Sequence, residues 1–143
     1  MIRLANNDDF PLLVNIWLAA SREAHAFIPD EFWLSQAEAM RSQYLPGAET
    51  YVACDAAGTP VGFLSLVEDS LAALFVDPTH QGKGIGSALL RQAQSLRKVL
   101  GLCVYVNNDR AQKFYRRHGF KPVEEQLDER TGERELFMQW STT

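Results

Sequence analysis

Three glycines fall within five residues in the run Gln81-Gly82-Lys83-Gly84-Ile85-Gly86-Ser87. Before it stands an apolar run, LAALFV at residues 71–76. After it comes a stretch in which Leu89, Leu90, Ala93 and Leu96 share one helical face. A strand, a glycine turn and a helix start together bring consecutive backbone N–H groups and the positive end of a helix dipole to one point, which suits a phosphate or another anion. The glycines leave no side chains to block a diphosphate. The same run also reads as a flexible turn that lets a helix pack closely on a strand. Two other phosphate-binding patterns fail on spacing. G-x-G-x-x-G fails in both registers, because Ser87 and Leu89 stand where the third glycine belongs, and no G-x-x-x-x-G-K-S/T occurs.

The elements around this run can be placed from periodicity and capping. Ile2–Leu4 suits a short strand. Asp8, Asp9 and Pro11 open a helix whose apolar face is Leu13, Ile16, Trp17 and Ala20. A second helix starts at Pro29-Asp30-Glu31, carries Trp33, Ala37, Met40 and Tyr44 on one side, and stops at Pro46-Gly47. Residues 51–54 and 61–67 read as a hairpin, and 71–76, apolar without alternation, as a central strand buried on both faces. The glycine run and a helix to about Lys98 follow. A strand at 102–106, a helix from Arg110 to His118 ended by Gly119, and a last strand pair at 120–126 and 135–140 complete the chain. This is an α+β domain spanning residues 1–143, one mixed sheet flanked by helices in the order β-α-α-β-β-β-α-β-α-β-β.

Composition bounds the function. The chain has 143 residues, enough for one core, with 46% hydrophobic and 22% charged residues. Its 14 Lys and Arg against 18 Asp and Glu give a net charge of -4 with no basic stripe, so no nucleic-acid partner is expected. No apolar run is long enough to span a membrane, and the start MIRLANNDDF lacks the features of a leader, so a cytoplasmic protein is expected. His25, His80 and His118 show no ligand spacing with Cys54 and Cys103, so no metal is expected, and both cysteines read as reduced core residues.

The run Q-G-K-G-I-G, after a strand ending L-F-V-D-P, fits the pattern Q/R-x-x-G-x-G/A. Downstream, V-N-N-D-R-A-Q-K-F-Y-R-R-H-G-F fits N-x-x-A-x-x-F-Y-x-x-x-G-F through Asn108, Ala111, Phe114, Tyr115, Gly119 and Phe120. On these two linked motifs the chain resembles the Gcn5-related N-acetyltransferase (GNAT) superfamily over residues 62–122. The segment A-H-A-F-I followed by Phe32-Trp33, with the small size, most resembles compact bacterial acetyltransferases. The resemblance implies acetyl-coenzyme A as donor and an amine acceptor, a small amine or a peptide or protein lysine or N-terminus, with direct attack in a ternary complex. It implies that Leu74, Phe75 and Val76 splay from the strand at 102–106, so that the pantetheine arm pairs with free backbone. The diphosphate would lie on Gln81, Gly82, Lys83, Gly84, Gly86 and Ser87, and the N–H of Phe75 would face the thioester oxygen.

By the same resemblance Tyr115 is the acid that protonates the departing thiolate. A phenol with a pKa near 10 keeps its proton at pH 7, whereas a thiol titrates near 8.5. Asn108 caps its helix and contacts the pantetheine amides. An acceptor ammonium must also lose a proton, at a cost of roughly 4.6 kcal/mol at pH 7 for a pKa near 10.4. His25 and Glu68 are the candidate bases, with a water chain as the third route. Phe27, Ile28, Phe32 and Trp33, alongside Glu23 and His25, would wall the acceptor site and suit lysine methylenes or a small amine better than a polycation. The rival reading is a non-catalytic acyl-coenzyme A-binding module, and a tRNA-modifying toxin is disfavoured by the acidic balance. The chain fits either a monomer or a homodimer.

Overall fold

A capping box launches the first helix. The Asn6 side chain accepts from the N–H of Asp8 at 3.0 Å, and the Asp9 carboxylate accepts from the N–H of Asn6 at 2.8 Å. Asp9 thus supplies a capping carboxylate as the sequence led us to expect, whereas Asp8 contributes its N–H. Asp9 is buried and also bound by Arg3 at 2.8 Å, so a short 3-10 turn precedes the helix. The computed structural model, which describes residues 1–142, then runs β1 (Ile2–Leu4), α1 (Phe10–Ala24), α2 (Asp30–Ala39), β2 (Glu49–Cys54), β3 (Pro60–Val67), β4 (Ser70–Val76), α3 (Ile85–Leu96), β5 (Val99–Tyr105), α4 (Asp109–Arg117), β6 (Lys121–Asp128) and β7 (Glu133–Ser141). A π-helical turn, Met40–Tyr44, continues α2. This is the element order expected from the sequence.

One seven-stranded sheet has the order β1-β2-β3-β4-β5-β7-β6. Every neighbouring pair is antiparallel except β4 and β5. One core lies between the sheet and α1 with α2, built from Leu13, Trp17, Trp33, Val52 and Phe63. The second lies under α3 and contains Leu64, Leu66, Leu89, Leu90, Leu100 and Met138, with Phe114 and Tyr115 of α4 packed against it. The strand with both faces buried is therefore β3, continuous from Val61 to Leu66. The apolar run of β4 was expected in that role. Its second half, Leu74–Val76, is only half-buried because its outer edge has no neighbour.

That open edge is the feature that positions the site. The parallel pair β4–β5 is joined at one register position, Ser70 with Gly101, and the strands diverge beyond it. Side chains and backbone fasten the closed end. The N–H of Gly101 donates to Asp69 O at 2.9 Å, and Arg97 reaches Glu68 O at 2.8 Å and the Glu49 carboxylate at 2.9 Å. Cys54 is half-buried and Cys103 exposed, both unpaired, which corrects the reading of Cys103 as a core residue. Among the described residues no helix is long and apolar enough to cross a membrane.

Candidate active site

A cleft of about 1130 Å³ opens where β4 and β5 part, bounded by the glycine loop, α4, the end of α1 and Trp33 of α2. The cofactor side is main chain. Asp77 N donates to Val61 O at 2.8 Å, and Phe63 stands opposite Phe75 in the β3–β4 ladder. Backbone groups alternate sides along a strand, so Phe75 directs its N–H and C=O toward β3, whereas Leu74 and Val76 direct theirs into the cleft. The sequence expectation gave the thioester-facing role to the N–H of Phe75, which in this register points to β3 and not into the cleft. The Val76 carbonyl accepts from Gln81 Nε2 at 3.0 Å, so the Gln81 side chain folds the loop back onto the strand end.

Gly82 and Gly84 have φ of +79° and +82°, in the region that favours glycine, and Gly84 begins α3 without a side-chain cap. No acceptor among the described residues takes the N–H groups of Gly82 through Ser87. A bare N–H run at a helix start is an anion site by construction. The Ser87 hydroxyl meets His118 Nε2 at 3.1 Å, which ties α3 to the end of α4. Arg110, Lys113 and Arg117 of α4 add positive charge to the cleft. The sequence reading missed them, since cations on an exposed helix face look like ordinary solvated charge. Lys83 is exposed and does not line the cleft.

Tyr115 lines the cleft half-buried, with its ring 5.2 Å from Phe114 and 5.6 Å from Phe120. Burial raises its phenol above the usual value near 10, so it is a protonated donor throughout the physiological range. Asn108 caps α4, one of the two roles expected of it. Its Oδ1 accepts from Ala111 N at 3.1 Å as the α4 cap, which leaves Nδ2 to donate to His25 Nε2 at 3.0 Å.

His25 stands at the end of α1, buried, with its ring 5.5 Å from Trp33 in a stack and 5.1 Å from Tyr105 edge-on. Burial lowers its pKa to about 4, so it is neutral at pH 7. Asn108 occupies its accepting nitrogen, and Nδ1 is buried without a partner. In this arrangement His25, one of the two candidate bases, has no free accepting nitrogen. Glu68, unlike His25, does not line the cleft. It is exposed in the β3–β4 turn with φ of +54°, at the closed end of the wedge. Trp33 lines the cleft; Ile28 is 4% exposed in the core and Phe27 backs His25 and Tyr105, so neither forms the wall expected. Glu23, expected in the acceptor wall, lines the cleft, whereas Tyr105 and Arg130 were missed by the sequence reading. Tyr105 donates to Asp128 at 2.7 Å, and Arg130 pairs with the same carboxylate. A tyrosine ending the aliphatic strand LCVYV was the available signal.

A parallel pair splayed beside a bare N–H loop defines an acyl-coenzyme A-dependent transferase fold. The GNAT acetyltransferase domain matches residues 46–122. Peptidyl-lysine N-acetyltransferase YiaC of Escherichia coli is 35% identical over 87% of this chain and 85% of its own length. Peptidyl-lysine N-acetyltransferase YjaB of the same organism is 34% identical over 84% and 81%. The solution structure of apo YjaB superposes over 100% of this chain and 98% of that one, with a TM-score of 0.88 and 30% identity. PaiA N-acetyltransferase of Thermoplasma acidophilum, in complex with coenzyme A, has the same fold, with a TM-score of 0.83 at 23% identity over 99% and 98%. The chain belongs to the GNAT acetyltransferase family. It is an N-acetyltransferase that moves an acetyl group from acetyl-coenzyme A to an amine.

Proposed function

We propose that the acceptor is a lysine side chain of a peptide or protein, and that residues 1–143 form one catalytic domain acting by direct attack in a ternary complex. The observation that carries this reading is the open main-chain edge of β4 beside the bare N–H run at Gly82–Ser87, in a chain similar to two peptidyl-lysine N-acetyltransferases. The loop amides bind the diphosphate, and α4 adds charge through Arg110, Lys113 and Arg117. Val76 pairs with the pantetheine arm and Leu74, two residues deeper, donates its N–H to the thioester oxygen as negative charge develops there.

Tyr115 gives its proton to the departing sulfur. His25 and Asn108 act as one unit, in which the neutral imidazole holds the Asn108 amide and thereby the start of α4. Water in the open cleft, beside the lining carboxylates Glu23 and Glu135, takes the proton of the acceptor ammonium. Two unpaired cysteines are consistent with a cytoplasmic setting. The test is release of free thiol from acetyl-coenzyme A with lysine peptides, with mass spectrometry locating the acetyl group. Turnover with peptide lysines supports the reading. Turnover restricted to free small amines refutes it, and tight coenzyme A binding without turnover on any amine establishes the non-catalytic module instead.

A further inference from the structure

A second cavity, of about 320 Å³, lies between the α2 helix with its π-helical turn and the strands β3 and β4. It is continuous with the catalytic cleft, because Trp33, Ala73, Phe75 and Arg130 line both. Its far end is open to solvent beside Tyr44 and Val67, which are 55% and 47% exposed. It is therefore a groove that leads from the reacting centre to the surface. Its walls are chiefly aromatic and aliphatic, with Trp17, Phe32 and Met40 among them. The wide π turn turns Met40 and Tyr44 toward it.

Charge narrows what can occupy the groove. Among its lining residues the only charged one is Arg130, whose guanidinium lies 5.8 Å from the Phe32 ring centroid and pairs with Asp128 at 3.3 Å. No carboxylate lines it, so a second ammonium on the acceptor gains no partner there and meets a like charge. Of its few polar groups, the Ser65 hydroxyl is bonded to Thr50 at 2.9 Å, which leaves Gln36, Tyr44 and the unpartnered indole N–H of Trp33. The volume is at the low end of the ~300–1,000 Å³ range of ligand pockets, which fits one large side chain.

We propose that this groove is the specificity subsite of the enzyme and takes a bulky apolar side chain, Phe, Leu or Met, from the residue adjoining the acetylated lysine. This rests on the peptidyl-lysine reading above. One large apolar side chain moved from water into such a groove discriminates about 10- to 200-fold.

The test uses the full chain, acetyl-coenzyme A and short capped peptides with one lysine. Phe, Leu, Gly, Asp or Lys is placed immediately before or after that lysine, and kcat/KM is measured for each. The expected result is kcat/KM at least about ten-fold higher for Phe or Leu than for Gly on one side of the lysine, with a second Lys below Gly. In Ala48→Phe, which puts bulk into the groove away from the catalytic cleft, the ratio of the Leu to the Gly peptide falls toward one. Equal values across the panel overturn the subsite and leave lysine as acceptor. A preference for Asp overturns it in favour of ion pairing to Arg130. A preference unchanged in Ala48→Phe shows that it arises elsewhere. No transfer to any peptide removes the lysine reading, and the subsite with it.

Discussion

The two walls of the cleft are built from different material. Along β4 and the glycine loop, the groups that face the ligand are main-chain N–H and C=O groups, most of which the fold leaves without partners, the Val76 carbonyl held by Gln81 being an exception. Opposite them, the ends of α1 and α2 and the Asp128–Arg130 turn present side chains: His25, Trp33, Tyr105 and Arg130. A main-chain site restricts the sequence through conformation, since only glycine adopts φ near +80° cheaply and leaves the amides uncovered. A side-chain wall restricts only shape and charge, which many sequences satisfy. The first wall is built to recognise one ligand, while the second can be retuned between acceptors.

Tyr115 stands where the walls meet, and its loss has the largest expected effect. Tyr115→Phe lowers kcat by about 10- to 1,000-fold, with coenzyme A affinity changed less than two-fold by calorimetry. An equal fall in affinity would make Tyr115 part of the cofactor wall instead. Next is Gly84→Val. A Cβ there meets no atom within 4 Å, so the apoprotein folds, but a β-branched residue at φ of +82° covers the amides and strains the loop. The dissociation constant for coenzyme A rises about ten-fold or more while far-UV circular dichroism is retained.

The acceptor wall is tested through pH. Folded His25 titrates near 4 rather than 6.5, so between those values the unfolded chain takes up a proton that the native chain refuses. The stability of the neutral buried imidazole is present above pH 6.5 and is lost as pH falls toward 4. Urea unfolding should show a loss of about 2 kcal/mol from pH 7 to pH 5 that His25→Gln largely abolishes. A similar slope in both proteins would assign it to other groups. Asn108→Ala, which removes the α4 cap and the His25 partner together, costs about 1 kcal/mol and lowers turnover as well as stability. The smallest effect belongs to the closed end. Glu68→Gly relieves a left-handed backbone, shifts stability by at most about 1 kcal/mol and leaves turnover unaltered. A large fall in turnover would return Glu68 to the site.

The same contrast explains what could be read without coordinates. Element order followed from periodicity and capping, and the splay of residues 74–76 was implied by the family resemblance that the glycine run and the Asn108–Phe120 motif carry, because all of these signals are local in the chain. The direction of a single N–H was not local. Whether Phe75 or Leu74 faces the cleft depends on the β3–β4 register, fixed by Val61 and Phe63 more than ten residues away. The role of His25 depended on Asn108, which is 83 residues distant. A lone histidine beside Phe27 carries no sign of that partner. Cys103 and the second half of β4 were misread for one reason: apolar runs reveal composition, and exposure depends on where a neighbouring strand departs.

The inner edge of β4 gives the sheet an incomplete ladder that the donor substrate itself completes. Ligand held at a hundred times its dissociation constant adds about 2.7 kcal/mol to the native state. Occupancy by the acetylated or the free carrier therefore lowers the population of opened chains that a protease could cut.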